Sequence, residues 1–298
     1  MLNNKEGWLN IFRNKADSVL ATTKEQVTDF HNQASEINKC IKIFYEEQII
    51  SVKNIAQQER WSKDVLLNEI LLITYVSYIV MLETRNKVWP YEYMAFARRI
   101  GELWEPFCKL AFEYSLLPLV EIIPPKFEAI QEKIQQDTLS YINNLAIDDN
   151  IKKTLKFYYG IPWNLVDSGG IKLDLDLHFS QNGINYNCDF KSGFSSNEKG
   201  NTNRLLLVAS IYHFLSSQEK TILFVRQEES ENNHYLQTLK KSNYWEVYCA
   251  DDCYDAIRKY TGFDLRQWIN SNIDWENDIS YELRKHLQDN NLIKYLTW

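Results

Sequence analysis

Residues 169–204 read GGIKLDLDLHFSQNGINYNCDFKSGFSSNEKGNTNR, and the rest of the chain is best understood outward from this stretch. Two β-strands, Ile171 to Phe179 and Ile184 to Lys191, flank Asn182-Gly183, a pair whose tolerance of positive φ makes it the strongest short-range hairpin signal. Successive side chains of a strand point to opposite faces. Leu173, Leu175, Leu177 and Phe179 are therefore expected on one face of the first strand, with Lys172, Asp174, Asp176 and His178 on the other. In the second strand Ile184, Tyr186, Cys188 and Phe190 face one way, and Asn185, Asn187, Asp189 and Lys191 the other.

With Asn182 and Gly183 as the central turn residues, Gln181 pairs with Ile184, Asp176 comes opposite Asp189, and Asp174 comes opposite Lys191. Three carboxylates and an ammonium then share one patch. Like charges directly opposite each other destabilise a sheet by a sizeable part of ~1 kcal/mol, and a divalent cation would resolve that conflict. Magnesium takes hard oxygen ligands, usually one or two carboxylates with water and substrate phosphate. A bound metal can neutralise the charge that develops on a phosphoryl group, and Lys191 would stand beside it to hold the attacking water or the scissile phosphate. The plainer alternative is an amphipathic antiparallel hairpin with a charged, solvated face.

The hairpin resembles the core motif of the PD-(D/E)xK nuclease superfamily, in which an Asp on one strand precedes an acidic residue, any residue and a Lys on the next. Asp189-Phe190-Lys191 matches the second half, followed by Ser192-Gly193. Asp176 is the first choice for the leading Asp and Asp174 the second; the Pro of the motif is replaced by Leu175. A further segment, Tyr91 to Tyr114, is similar to a weaker signature of type II restriction endonucleases, an R-x-G-x-x-aromatic-E pattern matched by Arg99, Gly101, Trp104 and Glu105. The resemblance implies that Glu105 joins Asp176 and Asp189 around the metal, with Glu102 as substitute. Pro106 complicates that helix, because it removes a hydrogen bond, and an amphipathic helix with Arg–Glu pairs is the plainer reading.

The resemblance thus implies an α/β fold, a mixed central β-sheet flanked by helices in the manner of a restriction-endonuclease core, with a large helical N-terminal region. It implies a Mg2+-dependent, site-specific endonuclease acting on double-stranded DNA, with Asp176, Asp189, Lys191 and Glu105 as the catalytic set. Cutting both strands of a palindrome favours a homodimer, and a cognate DNA methyltransferase would be a genetic rather than a physical partner. The rival readings are a repair or junction nuclease of the same fold, a catalytically silent DNA-binding relative, and a helical interaction protein with an incidental hairpin.

Composition is compatible with this. The chain has 298 residues, 45% hydrophobic and 14% aromatic, enough for a substantial core and unlike a disordered chain. A net charge of −7 argues against a globally basic nucleic-acid-binding surface but not against a local basic cleft. Cys40, Cys108, Cys188, Cys249 and Cys253 are scattered without a C-x-x-C pair, as expected of reduced thiols in a cytoplasmic protein. The five histidines are equally dispersed and give no zinc spacing. No signal-peptide layout is visible at the N-terminus, and the most apolar run, Ile70 to Leu82, is shorter than the ~20 residues needed to span a bilayer, so no membrane partner is expected.

Working outward in the chain, residues 1–90 read as a helical region suited to dimerisation or DNA clamping, and 91–298 as the nuclease core. No linker marks the boundary, so the two can equally form one compact unit. The clearest helix is Trp61 to Lys87, with Ser62 as cap and Leu66, Ile70, Ile73 and Val80 on its buried face. Leu116 to Ile123 reads as a short strand, and Lys152, Lys153 and Lys156 form a small basic cluster on the helix before the hairpin. After Lys191 a polar loop leads into a helix from about Asn201 to Leu215. Helix N-termini attract anions, so Lys199, Asn201, Asn203 and Arg204 are the expected DNA contacts, with N-capping by Asn201 or Thr202 as the structural alternative. Thr221 to Gln227 and Trp245 to Cys249 are read as further strands, separated by a helix from about His234 to Lys241.

Overall fold

The computed structural model describes residues 2–165 and 172–298. Among them, four long helices lead the chain: α1 (Lys5–Gln26), α2 (Phe30–Gln58), α3 (Lys63–Val88) and α4 (Tyr93–Glu113). Strand β1 (Val120–Glu121) follows, then α5 (Phe127–Asn144) and α6 (Asp149–Leu165). The hairpin is β2 (Leu177–Gln181) and β3 (Ile184–Lys191). Two crossovers come next, α7 (Lys199–Leu215) into β4 (Glu219–Val225), and α8 (His234–Lys241) into β5 (Trp245–Cys249). The chain finishes with α9 (Ala250–Thr261), α10 (Leu265–Asn272), the short α11 (Trp275–Asp278) and α12 (Tyr281–Asp289).

The protein is α/β, with one mixed sheet in the order β1-β2-β3-β4-β5. β1, β2 and β3 pair antiparallel, and β3, β4 and β5 parallel. Parallel neighbours need crossover connections, and crossovers of one hand put their helices on one face. Accordingly α7 and α8 cover one side, where Leu205, Val208, Leu236 and Leu239 meet Leu223, Val225 and Trp245. The other face of β3 and β4, carrying Cys188, Phe190, Ile222 and Phe224, packs against α4 and α9. The same apolar cluster continues without a break into α1, α2 and α3.

Helix α3 is long and apolar enough to cross a membrane, but 78% of its most apolar window is buried inside the protein. It packs against α1, α2, α4 and α12, so its apolar surface is covered by the chain itself. Ser62 caps it, accepting from Val65 N at 3.3 Å. α1 and α2 are separate helices, because Asp29 caps a new start by accepting from Asn32 N at 2.9 Å. Charged groups join the chain's two ends. Arg13 pairs with the buried Glu83 at 2.7 Å, Lys5 pairs with Asp278 at 2.7 Å, and Tyr75 donates to Asp278 at 2.9 Å.

The turn forms as its residues demand, with Asn182 and Gly183 at φ 54° and 78°, the two positive values of a type I′ turn. Gln181 pairs with Ile184, and the ladder runs up to Leu177 opposite Cys188. There the first strand ends, short of the expected extent. Residues 172–176 are not strand, Ile171 lies outside the described residues, and Asp174 is not paired with Lys191. Leu177 and Phe179 pack on the α4 side, whereas Leu173 and Leu175 pack on the α7 side. The four leucine and phenylalanine positions therefore do not share a face. The chain bends at Asp176, and the residues before it pack on the opposite side of the sheet from those after it.

Candidate active site

Asp189 and Lys191 lie on the α7-facing side of β3, the alternate positions to Cys188 and Phe190. Asp189 is 1% exposed and has two cationic neighbours. Lys191 Nζ forms an ion pair with its Oδ1, and Arg204 Nη2, one turn into α7, lies 3.2 Å from its Oδ2. Asp189 Oδ1 is buried against the Lys191 ammonium. Lys191 Nζ also donates to Phe190 O at 3.2 Å. Burial pushes the Asp189 carboxyl above its ordinary range; Lys191 opposes this, and the charge of Asp176 adds to it.

Asp176 enters from the bend that ends β2. Its Oδ2 accepts from the backbone N–H of Phe190 at 2.7 Å, taking the place a further strand residue would have filled. The bend is held by His178. Its Nε2 accepts from Leu175 N at 2.9 Å, and its Nδ1 lies 2.8 Å from Asn187 Oδ1. Both contacts are satisfied by a neutral imidazole protonated on Nδ1, and burial lowers the His178 pKa, with Asn187 opposing. His178 is thus a buried positioning residue rather than a ligand. The charge of Asp174 acts on His178 and Tyr212, toward α7, and its side chain is exposed.

Glu105 comes from the other face of the sheet on α4. Trp104 packs edge-on against Phe190 with ring centroids 5.7 Å apart and donates to Tyr254 Oη at 2.9 Å. Gly101 lets the helix close in. A Cβ there would lie 3.1 Å from Ser192 Cβ and nearer still to its Oγ. With α4 seated on Phe190 and Ser192, Glu105 is half-buried. Its pKa is raised by desolvation first and by Asp176 next, while Lys109 and Lys191 lower it. Glu102 lies apart from this group, ion-paired with Arg98 at 2.6 Å and Arg99 at 3.4 Å.

Asp176, Asp189, Lys191 and Glu105 therefore converge electrostatically at the C-terminal end of β3. They are not packed as a closed ligand cage, since among the described residues no three His, Cys, Asp or Glu side chains gather at metal-holding spacing. In donor chemistry the residues fit a hard divalent cation. Asp189 Oδ1 is a buried carboxylate oxygen, Asp176 is its acidic neighbour, and a positive charge, the Lys191 ammonium, already sits against Asp189 Oδ1 and Phe190 O.

The expected DNA contacts divide. Lys199 and Asn203 are exposed at the start of α7. Asn201 donates to Glu198 at 3.0 Å, and Arg204 is committed to Asp189. Neither Asn201 nor Thr202 caps the helix, which starts after Glu198 without a side-chain cap. Two neighbours of the site were not singled out from the sequence. Gln227, just beyond β4, closes over Gly193, where a Cβ would lie 2.6 Å from Gln227 Cδ. Asn232 accepts from Phe194 N at 2.7 Å and steadies the loop after Lys191. Only Gly193 hinted at either, as a glycine beside a motif where backbone and side chain approach closely.

Comparison with known proteins leaves the functional argument to these residues: no protein-family model, no curated protein and no solved structure matches the chain.

Proposed function

We propose that this chain is a Mg2+-dependent endonuclease of PD-(D/E)xK type, with a restriction-endonuclease-like core, that cuts double-stranded DNA at specific sites as a type II restriction enzyme. The observation that carries the reading is the position of Asp176. Its carboxylate accepts from Phe190 N, the residue between Asp189 and Lys191, so the motif's spacing is matched by an adjacency in space. Glu105 on α4, electrostatically coupled to Asp176, supports it.

In this reading Asp176 and Asp189 hold the cation and Glu105 approaches as the third acidic group. The ion would supply charge neutralisation for the phosphoryl group in its transition state. Lys191 is 21% exposed and ion-paired with Asp189, so its ammonium can turn toward an entering phosphodiester. There it orients the attacking water and stabilises the charge that grows on the phosphate oxygens. Arg204 favours the ionised form of Asp189 while Lys191 is engaged, since either cation opposes the upward push of burial. Lys199 and Asn203 at the exposed start of α7, with Asn201 beside them, are the proposed contacts to DNA, in keeping with the anion preference of a helix N-terminus.

Double-strand cutting of a palindrome calls for two such sites related by a two-fold axis, so a cytoplasmic homodimer and a methyltransferase encoded alongside are part of the proposal. The test is digestion of long unmethylated DNA with magnesium and with EDTA. Discrete fragments that require magnesium support it. A smear would indicate a nonspecific or structure-selective nuclease, and binding without cutting would indicate a silent relative.

A further inference from the structure

Twenty-four large apolar side chains stand exposed among the described residues, and eight of them fall between residues 127 and 161. This stretch is the helical hairpin of α5 and α6. At its root Phe127 and Ile130 join the cluster of Leu173, Leu175 and Phe194, beside the segments that carry Asp176 and Lys191. Beyond the root, α5 buries only Ile142, and no described side chain of α6 is fully buried. The hairpin therefore stands out from the rest of the chain with its apolar surface uncovered.

Polar bonds fix how its helices face each other. Tyr159 donates to Ile134 O at 3.3 Å and Lys152 to Asn143 O at 3.0 Å. Counted from these contacts at 3.6 residues per turn, Ile134 and Tyr141 make one stripe of α5, and Ile151, Leu155 and Tyr158 one stripe of α6. Both stripes lie on the same side of the hairpin, with Leu139 and Phe157 on the other. The five residues are 43%, 68%, 53%, 40% and 64% exposed. Two tyrosines about two-thirds exposed and three aliphatic side chains about half exposed make an apolar face of roughly 500–600 Å². A stable interface takes about 800 Å² from each partner, so this face with its polar margin matches one half of a dimer contact.

The charges around it point to the occupant. Lys152 is turned to Asn143 O, and Lys153 and Lys156 lie on the opposite half of α6, so a nucleic acid or an anionic membrane would meet no cation of α6 here. Lys133 and Asp137, one turn apart along the outer margin of the α5 stripe, are both exposed. A two-fold axis that stacks α5 antiparallel on its copy sets each Lys133 beside the other copy's Asp137, so the margin is complementary to itself. We propose that this side of α5 and α6 is where two copies of the chain associate, as a two-fold bundle of four helices. It gives an interface to the homodimer that the nuclease reading calls for, but association itself does not rest on that reading.

The test is sedimentation velocity of the full-length protein in EDTA and without DNA. The expected result is a dimer with a Kd below about 10 μM, weakened at least about tenfold by Leu155→Glu and by Tyr158→Glu, since each puts a buried charge into both halves of the contact. Tyr158 is 64% exposed, so Tyr158→Glu keeps the test decisive if Leu155→Glu does not fold. Leu139→Glu, on the other side of α5, and Ile50→Glu, on α2, should associate like wild type. A monomer at about 50 μM, unchanged association in the folded Leu155 and Tyr158 variants, or loss in Leu139→Glu or Ile50→Glu instead, would each overturn the proposal. A dimer that follows the expected pattern but cuts no DNA would support it and count against the nuclease reading alone.

Discussion

Replacing Gly101 by Ala tests the approach of α4 to the end of β3, on which the position of Glu105 depends. The new Cβ would sit 3.1 Å from Ser192 Cβ and closer to Ser192 Oγ. The hydroxyl can rotate away, but Ser192 Cβ is fixed to the backbone, so helix and loop must part by a few tenths of an ångström. Overpacking of this kind costs about 1–3 kcal/mol. Alanine gains about 0.8–1 kcal/mol over glycine inside a helix, leaving a net loss of about 1 kcal/mol. Ser192→Gly removes the obstructing atoms, so in that background Gly101→Ala should stabilise by about 0.8–1 kcal/mol, a coupling of about 1–3 kcal/mol between the two sites. The assay is urea unfolding followed by tryptophan fluorescence, with all four members of the cycle measured at equal slope. Stabilisation by Gly101→Ala in both backgrounds, with no coupling, would show that α4 and Ser192 do not touch and would remove the basis for Glu105.

His178 should give the fold a pH dependence. Burial lowers its pKa from the ordinary 6.5, so folding favours the neutral ring. That contribution is complete above the unfolded value and is lost as pH falls below about 6.5; His178→Gln should flatten the difference between urea midpoints at about pH 7.5 and about pH 5.5, and an unchanged difference would count against a neutral buried ring. For Glu105 and Asp189 the sign is opposite. Their raised pKa values mean that the fold holds protons above the ordinary carboxylate range, so magnesium affinity should rise with pH through that window, and Glu105→Gln should lessen the slope in calorimetric titrations. Asp278→Ala should cost about 1–3 kcal/mol in urea unfolding, because it leaves the buried Tyr75 hydroxyl without its acceptor and removes the partly exposed Lys5 pair; a loss below about 0.5 kcal/mol would mean that the two chain ends are not coupled there.

The hairpin was legible because its signals are local. Asn182-Gly183 fixes the turn, period-two alternation fixes β3 from Ile184 to Lys191, and the register follows from those two. β5 and α8 were legible for the same reason. The bend at Asp176 was not. Leu173, Leu175, Leu177 and Phe179 are all buried, and an unbroken alternation of buried residues does not reveal that the covering helix changes from α7 to α4 partway along. His178 hides the bend further, since its ring serves a backbone N–H three residues upstream. Arg204 reads from sequence as a free cation at a helix start. Its pairing with Asp189 depends on how the crossover returns α7 over β3, a tertiary fact. Likewise the R-x-G-x-x-aromatic-E pattern gave the Gly101, Trp104 and Glu105 side of α4, but not that Arg99 turns toward α2 and α3 and lines a separate cavity.

The central claim is that the β3 end hydrolyses DNA phosphodiesters. The most direct test is to incubate purified wild type, Lys191→Ala and Asp189→Asn with long unmethylated DNA in magnesium, checking by circular dichroism that all three are folded. Discrete fragments from wild type alone, abolished by EDTA, are the predicted result. Equal cutting by the three proteins, or no cutting and no DNA binding by folded wild type in magnesium, would contradict it.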